Sequence, residues 1–388
     1  MPVHPPLPFS PRLPAMAMPD WIAERTRCFD SSGIRKVFDL GAKMADPINL
    51  SIGQPDFDVP GEVRKAAIDA IQSGKNGYAL TQGMPILREK LQQRIDAEYG
   101  HPDRELFVTS GTSGGLMLAL MALVDPGDEV IVFDPCFVMY SALAGLVGGT
   151  VVTIDTYPDF RIDLDRVAAA ISEKTKLIVF NSPTNPTGAV ATEDEVRGLA
   201  ELAAERNVVL VSDEIYRAFC YDRPFLSPAL YNPETLVIDG FSKSHGMPGW
   251  RLGFAHGPGE IIRTMIKLQQ YSFVCAPQPA QWAGAAALDV DISPQIDAYR
   301  NKRDMLLAGI GDLYEIARPG GSFYMFPRAP WGTGAEFVER AIQQHRLLII
   351  PGKIFSHRDT HFRISYAAPD GTIQRGIEAL RKIAKEGP

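Results

Sequence analysis

Five short stretches of the chain carry side chains with chemistry to offer. They are "FVTSGTSGGLMLAL" with Thr112 and Ser113, "DPCFVMY" with Phe137, "NSPTNPTG" with Asn185, "SDEIY" with Asp213 and Tyr216, and "GFSKSHGMPGWRLGF" with Lys243 and Arg251. The first has two incompatible readings. Gly111, Ser113 and Gly115 fit the G-x-S-x-G elbow of a serine hydrolase, with Ser113 as the nucleophile on a strand-to-helix turn. The same residues fit a cradle whose free backbone N–H groups hold a phosphate at the start of a helix over 116–123. Both readings need a strand before and a helix after, so these residues alone do not decide. The other stretches each supply a part. A lysine held on a loop, Lys243, can form a Schiff base with a carbonyl when burial beside other cations leaves its amine partly neutral. An acid at a strand end, Asp213, can pair with a pyridine nitrogen and keep it protonated, so that the ring withdraws electrons. Asn185 and Tyr216 can hydrogen-bond a ring oxygen and Phe137 can stack on a ring face. Arg251, with the Thr112 and Ser113 amides, can neutralise a phosphate. Taken singly, a loop lysine is ordinarily solvated and a strand-end aspartate ordinarily caps a turn.

The elements that must position these residues give them a common meaning. Short apolar runs at 106–109, 129–133, 151–154, 177–180, 208–212, 235–239 and 252–255 alternate with helical stretches, the pattern of a mainly parallel sheet between helices. In such a sheet chemistry gathers beyond the carboxyl ends of the strands, and five of these runs end in the five stretches above. One rim therefore presents an amine, an acid, an aromatic face and a phosphate cradle to one space, and the ligand these describe is pyridoxal 5'-phosphate. Past Pro277 the texture changes to amphipathic stretches at 278–287 and 296–313, with short strands around 321–326 and 362–366. That predicts a large cofactor-binding domain over 47–276 and a smaller α+β domain built from 21–46 and 277–388, preceded by a proline-rich arm over 1–20. The chain has 388 residues, long enough for a large core, and 39 Lys and Arg against 46 Asp and Glu. This mild acidity offers no basic footprint for nucleic acid. Four scattered cysteines without a C-x-x-C pair suggest neither a zinc site nor a disulfide framework and fit a cytoplasmic protein. No apolar run reaches the length of a membrane span.

In the order and spacing of its motifs the chain resembles the class I and II aminotransferases of the fold-type I pyridoxal phosphate enzymes. The residues that carry the resemblance are "NPTG" from Asn185, "SDEIY" from Ser212, "GFSK" with "GWRLGF" from Gly240, and "FRISYA" from Phe362, within a match running from "SGIRKVFDLGAKM" at Ser32 to the end. The closest texture is that of the aromatic and broad-specificity members. The resemblance implies that Arg363 binds the substrate carboxylate with Gly53 nearby. It also implies that Ile34 faces the far end of the substrate pocket, together with the stretch "QQYSFVC" at 269–275. It implies a homodimer with shared active sites, in which Tyr78 of "NGYALTQG" reaches the phosphate of the partner's cofactor. The activity implied is transfer of an amino group between an L-amino acid, aromatic or large and neutral by preference, and a 2-oxo acid such as 2-oxoglutarate, in a ping-pong cycle. An aspartate-type aminotransferase or a C–S lyase would use the same residues.

Three positions depart from the family pattern. Gly240 stands where many members have a phosphate-binding serine, which shifts that duty to Ser242, Arg251 and the backbone, and His245 and Pro248 stand where an aromatic and a threonine are usual. The hydrolase reading finds an acid and a histidine after Ser113 in Asp213 and His245. It gives no purpose to Lys243, Asn185 or Arg363, and no HGG-type loop lies upstream, so the glycine turn is read as a phosphate cradle. His357 and His361 have the i, i+4 spacing of a metal pair, but without the intervening glutamate of a metalloprotease they are read as surface histidines.

Overall fold

A computed structural model of the protein describes residues 21–30, 33–101 and 103–387, without the side chains of residues 35, 36, 38 and 39. The proline-rich arm expected over 1–20 lies outside the described residues. The strands in chain order are β1 (Ile48–Asn49), β2 (Arg104–Thr109), β3 (Glu129–Asp134), β4 (Thr150–Asp155), β5 (Thr175–Asn181), β6 (Val209–Asp213), β7 (Leu236–Gly240), β8 (Gly253–Pro258), β9 (Tyr324–Met325), β10 (Leu347–Leu348), β11 (Ile350–Pro351) and β12 (Phe362–Ser365).

β2 to β8 form one seven-stranded sheet in the order β2-β8-β7-β6-β5-β3-β4, in which β8 alone runs against its neighbours. These are the seven apolar runs of the sequence. They read as unbroken hydrophobic stretches because helices cover both faces of the sheet. One face meets helices Gly111–Leu123 and Gly259–Gln270 through Leu116, Leu120, Val211, Ile238, Ile262 and Met265. The other face meets helix Glu193–Glu205 through Val196 and Leu199, and helix Pro85–Tyr99 through Leu87 and Leu91. Burying each such side chain is worth roughly 1.5–3 kcal/mol. Local signals fix the helix starts. Thr192 and Glu195 form a reciprocal capping box, as do Thr333 and Glu336 ahead of helix Gly334–His345.

The remaining strands are short. β1 pairs in parallel with β10, and β12 lies between β11 and β9 in an antiparallel trio. Helices Ser293–Ile310, Gly334–His345 and Asp370–Glu386 enclose a second core of Leu306, Phe337, Ile364 and Leu380. Tyr216 and Ile215, just past β6, belong to the same cluster, so this core reaches the rim of the large sheet. Helix Gly33–Gly41 contributes Val37 to a third cluster with Leu348, Ile350 and Phe355, against which Ile34 is packed. The stretch expected as a helix over 278–287 is helix Gln278–Ala287. The one expected over 296–313 is displaced to Ser293–Ile310.

Candidate active site

The parallel register sets the carboxyl ends of β5 and β6 side by side, pairing Asn181 with Asp213, while the end of β7 meets the start of antiparallel β8 as the pair Gly240 and Gly253. Above these ends lies a cleft of about 240 Å³. Its lining collects every site residue singled out in the sequence except Tyr78 and the stretch 269–275. The sheet rim supplies Thr112, Ser113, Phe137, Asn185, Asp213, Tyr216, Ser242, Lys243 and Arg251. Gly53, Ile34 and Arg363 enter from β1's exit, helix Gly33–Gly41 and β12. Tyr78 is 88% exposed and stands outside the cleft of its own chain. The stretch 269–275 also lies outside that lining. Gln269 holds the Thr81 and Val108 carbonyls, and Tyr271 is exposed.

Lys243 is half-buried and its Nζ donates to the Gly53 carbonyl at 2.5 Å. Burial, with the charges of Arg363 and Arg251, pushes its ammonium down to about 8. Its amine is therefore partly neutral near physiological pH. Asp213 is buried on the floor of the cleft. Its Oδ2 accepts from the Tyr140 hydroxyl at 2.8 Å, its Oδ1 from the Ile215 N–H at 3.3 Å, and its carbonyl from Asn181 Nδ2 at 2.8 Å. Burial pushes the Asp213 carboxyl up to about 6, against the lowering effect of Tyr140, the Ile215 amide and Lys243. A pyridinium nitrogen placed against it would oppose that rise.

The glycine turn is the start of helix Gly111–Leu123, five residues earlier than the apolar run suggested, because the glycines themselves form its first turn. No side chain caps it, which leaves its amides for an anion. Gly111 has φ +70°, and a Cβ there would lie 2.5 Å from Arg251 Nη2, so glycine is what lets the guanidinium approach the helix start. Arg251 is itself left-handed at φ 55° and donates to the Pro248 and Ser110 carbonyls at 3.0 and 3.3 Å.

On the opposite wall Arg363 is fully buried. Nη1 donates to Asn185 Oδ1 at 3.0 Å and Nη2 to the Ser51 carbonyl at 2.8 Å, while Nε has no partner. Its guanidinium carbon lies 4.5 Å from the Tyr324 ring centroid and 4.7 Å from that of Phe355. A buried guanidinium with an unspent N–H at a cleft wall suits a carboxylate ligand.

The serine-hydrolase arrangement is not assembled. His245 Nδ1 faces Ser244 Oγ at 2.8 Å, burial pushes the ring down to about 4, and it lines a separate cavity behind the Lys243 loop, while Asp213 is bonded to Tyr140. At Gly240 a Cβ would meet Gly253 Cα and the Leu252 carbonyl oxygen at 3.0 Å, so the tight strand pair favours glycine there. His361 departs from its expected surface position. It is half-buried, stacked on Phe326 at 5.2 Å, and pushed down to about 4 by burial. Three polar lining residues went unread in the sequence: Asn181, Tyr140 and Tyr324. Tyr140 sits three residues after Phe137 in the same stretch, a spacing that puts both on one side of a turn. Nothing in the spacing around Tyr324 marks it.

The family model "Aminotransferase class I and II" matches residues 45–380. The chain is 37% identical to a probable aspartate aminotransferase of Methanocaldococcus jannaschii, over 93% of this chain and 99% of that one. It is 37% identical to the aspartate/prephenate aminotransferase of Thermus thermophilus, over 90% and 94%. The solved aspartate aminotransferase of Thermus thermophilus with maleate superposes with a TM-score of 0.89 at 35% identity, covering 93% of this chain and 99% of that one. The chain is thus matched along nearly its whole length: it belongs to the class I and II aminotransferases and is a transaminase.

Proposed function

We propose that the cleft holds pyridoxal 5'-phosphate on Lys243 and transfers an amino group from an L-amino acid, aromatic or large and neutral by preference, to a 2-oxo acid such as 2-oxoglutarate. Members of the family use this cofactor. The observation that carries the reading is the meeting of four chemically distinct groups in one cleft. They are a partly neutral Lys243 amine, a buried Asp213 carboxyl, an uncapped helix start beside Arg251, and an Arg363 guanidinium with an unspent Nε. The donor set fits the group. Asp213 would take the pyridine nitrogen, Asn185 Nδ2 and the Tyr216 hydroxyl the ring oxygen, and Phe137 a ring face. The Thr112 and Ser113 amides, Ser242 and Arg251 would take the phosphate.

When bound, the cofactor supplies an electron-poor ring that accepts the electron pair left as the substrate's α-proton departs. The residues of this chain do the rest. Arg363 fixes the substrate carboxylate and so aims the α-hydrogen at Lys243 Nζ. Lys243, released once the substrate amine has taken its place, removes that proton as a general base and returns it as a general acid. Two half-reactions share this apparatus, so the kinetics are ping-pong. The side-chain preference is supported by the lining. Among the described side chains the cations of the cleft are Lys243, Arg251 and Arg363, each with a duty, and the wall beyond is Ile34, Leu116, Phe137 and Tyr324.

We extend the reading to the molecule: a homodimer in which Tyr78 serves the partner's site, a division into domains over 47–276 and over 21–46 with 277–388, and a cytoplasmic location consistent with four free cysteines. No described helix is long and apolar enough to cross a membrane. Borohydride reduction of the holoenzyme and peptide mapping tests the cofactor site. The expected phosphopyridoxyl label lies on Lys243, and a label on another lysine overturns the assignment. Donor preference is read from kcat/KM for phenylalanine, tyrosine, leucine, alanine and aspartate with one acceptor. Aspartate ahead of every aromatic donor by more than about tenfold, or about 1.4 kcal/mol of transition-state binding, overturns the preference.

A further inference from the structure

Tyr324 lies where the two halves of the cleft meet. Its hydroxyl is 2.9 Å from that of Tyr216, its ring covers the Arg363 guanidinium at 4.5 Å, and all three residues are buried. Tyr324 comes from β9, which pairs with β12, so the cover of Arg363 stands on the strand beside the one that carries it: Ser365 faces Tyr324 in the register. Burial pushes both phenols up, so each keeps its proton throughout the working pH range. Two protonated hydroxyls in contact share one bond, which either donates. If Tyr216 accepts from Tyr324, the proton of Tyr216 is free to point into the cleft. If Tyr216 donates to Tyr324, it is spent.

From this geometry we propose that Tyr324 is a positioning residue with two separable duties: its hydroxyl donates to Tyr216 and so aims the Tyr216 proton at the cofactor's ring oxygen, while its ring holds the Arg363 guanidinium in plane for the substrate carboxylate. The first duty rests on the cofactor reading above. Hydrogen bonds in a chain strengthen one another, so a Tyr216 that accepts from Tyr324 is the better donor to an anionic ring oxygen. The second duty is a cation–π contact in a desolvated setting.

Two variants separate the duties. Tyr324→Phe keeps the ring and removes the hydroxyl, whereas Tyr324→Leu keeps bulk and removes the ring. The pH midpoint of the cofactor's absorbance in the holoenzyme reads the first duty. Weaker donation to the anionic ring oxygen favours the protonated form, so Tyr324→Phe raises the midpoint by a few tenths of a pH unit. The dissociation constant of 3-phenylpropionate, a carboxylate without a reactive amine, reads the second. It stays within about twofold in Tyr324→Phe and rises roughly three- to thirtyfold in Tyr324→Leu. A midpoint unchanged in Tyr324→Phe overturns the first duty, and affinity lost equally in both variants overturns the second. If Tyr324→Leu fails to fold by circular dichroism, Tyr324→Phe and Tyr324→Trp, which keeps a ring face, carry the same comparison. Wild-type protein that binds no pyridoxal 5'-phosphate on equilibration with it refutes the cofactor reading itself, and is thereby distinguished from a failure of Tyr324 alone.

Discussion

Asp213 shows how one residue's function costs the empty protein stability. A carboxyl held at about 6 in the folded chain, against its ordinary 3.8, makes the ionised form expensive by on the order of 3 kcal/mol. The sign follows from the raised value. The penalty is absent below pH 3.8, grows between 3.8 and 6, and is complete above 6. Asp213→Asn has no proton to lose and retains an oxygen for the Tyr140 hydroxyl. The cofactor-free variant is therefore expected to be more stable than the cofactor-free wild type at pH 7.5, by roughly 1–3 kcal/mol, with the gap closing toward pH 4. Urea unfolding of both proteins across that range checks it, and a gap that does not change with pH would contradict the burial of an ionised Asp213. Arg363 behaves oppositely, since the role proposed for it lies in what it has left to give. Arg363→Ala leaves a substrate carboxylate without its partner and should lower kcat/KM by roughly 2–5 kcal/mol for every donor alike. Loss confined to aspartate would assign Arg363 to a side-chain carboxylate. The sequence carried Asp213 and Arg363 because each falls in a motif. It did not carry Tyr140 or Tyr324, whose meaning comes from one hydrogen bond each to a residue 73 or 108 positions away.

At the scale of elements, the strands were legible because each central one is buried on both faces and so reads as a short unbroken apolar run. β7 is buried at all five positions. What lay beyond the sequence was the order of the strands and the reversal of β8, since an antiparallel strand inside a covered sheet carries the same apolar text as a parallel one. The start of helix Gly111–Leu123 was misjudged for a related reason. Hydrophobic periodicity marks where a helix buries its face, whereas its first turn here is glycine and serine given over to backbone N–H groups. That turn yields a prediction that separates backbone from side chain. Ser113→Ala keeps the amide and should weaken cofactor affinity by no more than about tenfold, the worth of one hydrogen bond. Gly111→Ala should do more harm although it removes nothing. The new Cβ falls 2.5 Å from Arg251 Nη2 at φ +70°, adding roughly 1–2 kcal/mol of left-handed strain and pushing the guanidinium off the helix start. Equilibrium cofactor binding to the two variants decides between these, and Ser113→Ala worse than Gly111→Ala would mean that the hydroxyl, not the backbone, holds the phosphate.

The whole molecule adds what no single chain's cleft contains. Tyr78 and Tyr271 are each 88% exposed, Leu80 is 54% exposed, and Phe273 is 41% exposed. Large apolar and aromatic side chains held out in this way are what the proposed dimer would cover. Thr81, three residues after Tyr78, is anchored through Gln269 beside β2, while the Tyr78 side chain stands exposed. A second copy of the chain related by a twofold axis would bring each Tyr78 to the other's phosphate cradle. Complementation tests this directly. Lys243→Ala chains and Tyr78→Ala chains, each of low activity alone, are unfolded, mixed in equal amounts and refolded. Random pairing makes about half of the dimers hybrids, each with one site assembled from an intact Lys243 and an intact Tyr78, so activity should recover to about a quarter of the wild-type level. Native mass spectrometry confirms that hybrids form. Hybrids present with activity no higher than the mean of the two parents would mean that Tyr78 serves its own chain or none, and the shared site would have to be abandoned even if the dimer stands.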